Sequence, residues 1–128
     1  MPTRFTPGRF TIVKEFGFEA AHRFMHKPGG HHNTRVHGHS FRVEVALSGV
    51  PDPTTGCVAD FEEIDAALAQ LRGELDHQML NEIDGLRTPS LENIAKWIAD
   101  RLRGRFAALA SVTVRRPSLG EAARFDVA

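Results

Sequence analysis

The sequence has no tyrosine, one cysteine, one tryptophan and no excess of charge of either sign. Each shortage excludes something. A single cysteine, Cys57, cannot build an internal disulfide framework or a cysteine-rich zinc module, and it suits a reducing compartment. Sixteen Lys and Arg against sixteen Asp and Glu leave no basic field for nucleic acid or an anionic membrane, and no acidic tail. No apolar run approaches the length of a membrane span. The opening MPTRFTPGRF lacks the apolar stretch of a secretory leader, so the expected location is the cytoplasm. What remains, 128 residues at 41% apolar and 25% charged, fits one soluble domain over 1–128 with no repeat or linker. A core of that size is marginal alone, so self-association is an expected source of further burial.

Histidine is what the chain has in excess: seven in all, six of them between His22 and His39. The elements around them follow from periodicity. Residues 8–22 read as a strand, with Phe10, Ile12, Phe16, Phe18 and Ala20 on the even face and Lys14 as the exception. A loop from Arg23 to about Arg35 is punctuated by Pro28-Gly29-Gly30. A second strand, about 36–48, places Phe41, Val43, Val45 and Leu47 on its odd face, and the two strands form a wide antiparallel hairpin. After a loop over 49–56, Phe61, Ile64, Leu68, Leu71 and Leu75 give the stripe of an amphipathic helix. Asp60 is its N-cap, with Glu63 at the capping-box position. A second helix starts at Ser90 and buries Leu91, Ile94, Ile98 and Leu102, with Trp97 alongside. Alternation at Val112 and Val114, then a short strand over 123–127, completes an α+β domain with helices on one face of an antiparallel sheet.

His37 and His39 form an H-x-H pair, and a spacing of two sets both imidazoles on one face of a strand. That odd face is the apolar one, and His22 continues the apolar even face of the first strand. If the hairpin centres near Gly29-Gly30, all three rings converge at its loop end. Three neutral nitrogens leaving a fourth position open is the arrangement of a catalytic zinc. Ordinary hydrogen-bonded histidines are the competing reading of an H-x-H alone; the third histidine at matching parity favours the metal. His26, His31 and His32 read as exposed loop or substrate-contacting residues, and Cys57 as a small buried residue, since nothing nearby would depress its pKa. Asp76-His77 is a carboxylate beside an imidazole, a general-base device if the two face each other.

The motifs FGFEAAHRF, HGHSF, TGCVADFEEI, LDHQMLNEI and TPSLENIAKWI, in that order, resemble the family of 6-pyruvoyl-tetrahydropterin and 6-carboxytetrahydropterin synthases over about 11–114, with wording closer to the bacterial carboxy branch. The resemblance implies the T-fold, whose subunits associate through their sheets into barrels, commonly a homohexamer of two trimers. It implies zinc (Zn2+) on His22, His37 and His39, and proton transfer by Asp76 and His77 across a subunit interface. It also implies a small-molecule pterin substrate, 7,8-dihydroneopterin triphosphate, for a lyase on the route to queuosine and other deazapurines.

Two positions depart from the family pattern. Its catalytic cysteine stands four or six residues before the first histidine of HGH, where this chain has Asn33 and His31. His31 or His32 could carry a proton only if the loop folds inward. The family's pterin-anchoring glutamate falls in Val114-Arg115-Arg116-Pro117, and Glu121 is the nearest acid able to take its place. The expectation is therefore a 6-carboxytetrahydropterin synthase-like lyase. Beside it stand a retro-aldol cleavage of dihydroneopterin, which makes less demand on a second proton carrier, and a zinc-dependent step on a non-pterin ligand.

Overall fold

Alternation over two long segments, broken at Lys14 and at Ala46, sets the architecture. The computed structural model describes residues 8–127. The leader-free reading of the N-terminus rests largely on residues outside that range. Strand β1 is Phe10–His22 and β2 is His37–Gly49, antiparallel, with His22 opposite His37 and Phe10 opposite Gly49. This register centres on the Gly29-Gly30 bond, as the parity of the two strands requires. Gly30 adopts φ +87°, which a side chain would resist. Helix α1, Phe61–Leu75, and helix α2, Leu91–Leu102, follow, then β3, Leu109–Arg116, and β4, Glu121–Asp126. The sheet order is β1-β2-β3-β4, all antiparallel.

Both helices pack on one face, α1 over β1 and α2 over β3 and β4. Ile64, Leu68, Leu71 and Leu75 of α1 meet Ile94, Ile98 and Leu102 of α2 and Phe18, Phe41, Val43, Val112 and Val114 of the sheet in one core. Asp60 caps α1 by accepting from the Glu62 N–H, and Ser90 caps α2 by accepting from that of Asn93. Glu63 makes no reciprocal bond among those found, so the first helix has a cap without the box. No helix is long and apolar enough to cross a membrane among the described residues.

Three expectations about burial are corrected. Phe10 is 57% and Phe61 44% exposed, because each begins its element beyond the edge of the helix–sheet sandwich. Cys57 is exposed, in the loop between β2 and α1, its Sγ donating to the Thr55 carbonyl. The last strand begins at Glu121, two residues earlier than alternation implies, because Pro117–Gly120 make a tight turn ending in a left-handed Gly120.

Candidate active site

The hairpin register brings His22, His37 and His39 together at the loop end of the core face. Their rings lie 4.6–4.9 Å apart between centroids, and each offers a nitrogen within 4.8 Å of the others. Phe41 underlies the cluster and Phe24 flanks it, so the surroundings are apolar. His22 is fully buried. Burial pushes its pKa down to about 4, with the neighbouring imidazoles and Arg116 adding to the effect against a bond to Pro89. His39 is lowered as well, by burial first and then by Arg116. The His22 and His39 rings are therefore held toward the neutral form that a metal ligand requires.

Hydrogen bonds fix which nitrogen faces inward. Nδ1–H of His22 donates to the Pro89 carbonyl at 3.2 Å, and that of His37 to the Arg35 carbonyl at 2.8 Å. In each ring the Nε2 lone pair is left for the centre. Nε2 of His22 is buried with no hydrogen-bond partner among the described residues. A buried acceptor left unpaired is costly, and a cation satisfies it. A tetrahedral zinc with bonds of about 2.1 Å sets its ligands about 3.4 Å apart, so small ring rotations close this set. The residues present fit such an ion.

The second chemical pair is fastened to the outer edge of β1. Asp76 ends α1 and accepts from the Glu19 N–H at 2.9 Å, while His77 N–H donates to the Glu19 carbonyl. His77 has φ +61°, and there its ring meets the preceding carboxylate, Nδ1 to Oδ2 at 2.9 Å. Adjacent residues seldom face each other; this left-handed turn is how these do. Arg72 lies 3.2 Å from the same oxygen. The Glu19 amide first, then His77, hold the Asp76 carboxyl below its ordinary value against some desolvation, and Arg72 adds to this. The imidazole of His77 is 78% exposed. On the sheet face opposite the helices, Glu19 and Ser40, joined at 2.6 Å, border with His77 and Gln78 an open cleft of about 470 Å³ that also reaches His39.

The other candidates lie elsewhere. His31 accepts from the Asn33 N–H and stacks on His32, so both belong to the local turn of the loop. Cys57 is exposed among Phe10, Val58 and Phe61, apart from the histidines. Glu121 pairs with Arg116, Oε1 to Nε at 3.1 Å, and Arg115 turns to the opposite face toward Glu44. One residue, though within the LDHQMLNEI motif, had no role assigned from sequence. Asn81 accepts from the Arg23 N–H and donates to the carbonyls of Arg23 and Arg87, tying the residue after His22 to the segment that carries Pro89. Its only trace in the sequence is an asparagine in a connector.

The family model described as 6-pyruvoyl tetrahydropterin synthase matches residues 11–126. A 6-carboxy-5,6,7,8-tetrahydropterin synthase of Synechocystis is 43% identical over 96 residues, 71% of this chain and 73% of that protein. A dihydroneopterin monophosphate aldolase of Pyrococcus furiosus is 34% identical over 116 residues, 91% of this chain and 93% of that protein. Among solved structures, a 6-pyruvoyl tetrahydropterin synthase of Caenorhabditis elegans superposes with a TM-score of 0.83 at 23% identity, covering 98% of this chain and all of that one.

Proposed function

As the chain belongs to the 6-pyruvoyl tetrahydropterin synthase family and has its T-fold, we propose that it is a zinc-dependent lyase acting on the side chain of 7,8-dihydroneopterin triphosphate, in the manner of a 6-carboxytetrahydropterin synthase. The observation that carries the metal part is the orphaned Nε2 of His22 facing two further imidazoles. Zinc held there, when bound, supplies a Lewis acid that acidifies a side-chain hydroxyl or polarises a carbonyl.

The chain's own residues do the rest. The Pro89 and Arg35 carbonyls hold the His22 and His37 rings in the tautomer that presents Nε2. Asp76 keeps the proton of His77 on Nδ1, leaves Nε2 free to take a proton from substrate carbon, and stabilises the imidazolium that results. The Glu19 amide, the His77 bond and then Arg72 favour the ionised form of Asp76. Glu121 accepts from the donor-rich edge of the pterin. The reading includes association of copies through their sheets into a hexamer of two trimers, in which His77, at the outer edge of β1, serves a neighbour's histidines.

Retro-aldol cleavage of the dihydroneopterin side chain is the second reading. It is favoured by the 34% identical aldolase, which is aligned over nearly its whole length, and by the placing of Cys57 away from the histidines. One base suffices for that reaction, so a missing thiol matters less.

The test is incubation of zinc-loaded protein with 7,8-dihydroneopterin triphosphate, products followed by mass spectrometry. A carboxytetrahydropterin mass, abolished in His37→Ala, is the expected result. A hydroxymethyl-dihydropterin mass assigns the second reading, and unchanged substrate removes both.

A further inference from the structure

The sheet face away from the helices carries acidic residues that are matched with arginines, save one. Glu15 lies 3.6 Å from Arg42, Glu44 lies 3.7 Å from Arg115, and Asp126 lies 3.1 Å from Arg124. Glu19 shares that face and has no basic side chain against it among the described residues. Its carboxylate is bonded instead to Ser40, the residue opposite it in register, whose hydroxyl donates to Oε2 at 2.6 Å. That length is typical of a hydroxyl on a carboxylate. The second oxygen, Oε1, has no hydrogen bond among the described residues.

The backbone of Glu19 is gripped on both sides. Its N–H donates to Asp76 at 2.9 Å, and its carbonyl accepts from the His77 N–H at 2.6 Å. Two such bonds fix the direction in which the side chain leaves the strand, so the carboxylate keeps a set place relative to the His77 ring. Both groups line the open cleft of about 470 Å³, with Ser40 between Glu19 and the neighbouring strand. A carbon that gives its proton to His77 holds its own hydroxyl only one bond away. That hydroxyl enters the same cleft, where an acceptor without another donor waits for it.

We propose that Glu19, held by Ser40, accepts a hydrogen bond from a hydroxyl on the substrate side chain and is a specificity-determining residue for hydroxylated tails. The inference rests on the pterin reading above and adds a residue to it. Ser40 saturates one carboxylate oxygen and orients the group, and Oε1 meets the ligand. Glu15, four residues back on the same face, is matched with Arg42 and lies outside the cleft, so it takes no part.

Calorimetric binding to the zinc-loaded full chain tests this with neopterin and 6-methylpterin, which share the ring and differ in the hydroxylated tail. The parent prefers neopterin. Glu19→Ala lowers that preference by about 10- to 100-fold, the span expected of a hydrogen bond to a charged group. Glu19→Gln, which keeps a neutral acceptor, falls between the two, and Glu15→Gln matches the parent. Zinc is present throughout, so its own hold on a hydroxyl is common to every sample. Zinc uptake equal to the parent's shows that each variant is folded. Equal binding of both ligands by the parent overturns the proposal and leaves the pterin reading standing. Binding of neither overturns both together. A preference undiminished in folded Glu19→Ala, or an equal loss of both ligands there, removes Glu19 from tail recognition.

Discussion

His77 is the described non-glycine residue with a positive φ, and it follows the last residues of α1 where a glycine would ordinarily end a helix. An L-residue in that region costs about 1 kcal/mol or more. The cost persists because the conformation turns the imidazole onto Asp76 and leaves Nε2 exposed, which a relaxed backbone would not do. Stability and chemistry therefore pull apart at one position. His77→Gly and His77→Ala both lose turnover, but the glycine variant is the more stable of the two by about 1 kcal/mol, since only glycine adopts this φ freely. Urea unfolding of the two variants checks this. Equal midpoints would mean that the backbone relaxes in the alanine protein and that the strain is not held by the Glu19 contacts.

Between elements, the decisive joint is the one linking the end of β1 to the start of α2. His22 ends the strand, its Nδ1–H depends on the carbonyl of Pro89, and Asn81 spans the two with three hydrogen bonds. Asn81→Ala frees that joint, and zinc affinity falls about tenfold, the lower end of what loss of an outer hydrogen-bonding partner costs a metal site. Competition with a chelating dye reads the change directly, and His77→Ala, which touches no ligand, leaves it at the parent value. Unaltered affinity in Asn81→Ala would show that Pro89 is held by α2 alone. This joint also marks the limit of what the sequence reveals. The hairpin is legible because His22, His37 and His39 share the parity of Phe18 and Phe41, and two glycines mark its centre. The helices are legible because their leucines and isoleucines recur at 3.6-residue spacing. Asn81 is not, because three bonds to backbone leave no pattern in residue type. Glu121 was visible only as the nearest acid: the Pro-Ser-Leu-Gly turn that pairs it with Arg116 is a hairpin signal, obscured by reading the strand as starting two residues later. Phe10 and Phe61 are exposed because periodicity tells which face a residue is on and not whether anything covers it there, and Cys57 stands in a loop outside any periodic pattern.

At the scale of the whole molecule, the three histidines and the Asp76–His77 pair occupy different parts of the sheet. The first lie on the helix-covered face, and the second is fastened to the outer edge of β1. That edge is satisfied from Gly17 to Ala21 by Arg72, Asp76, His77 and Gln78, and among the described residues nothing covers its first half in this way. Phe10 and Val13 are exposed there, and β4 is the opposite outer strand. Strand edges of this kind pair with other chains unless protected. On the function proposed above, His77 of one copy serves the histidines of a neighbour, and two separate defects become complementary. His37→Ala and His77→Ala are each inactive alone. Unfolded together in equal amounts and refolded into mixed assemblies, they regain about a quarter of parent activity, because random neighbours restore that share of sites when each site draws on two subunits. The same proteins refolded apart and then combined without exchange regain none. Mixed assemblies confirmed by mass spectrometry but without turnover would place His77 in the service of its own chain's histidines, and the path from the β1 edge to the triad would then have to run through the cleft between Glu19 and His39.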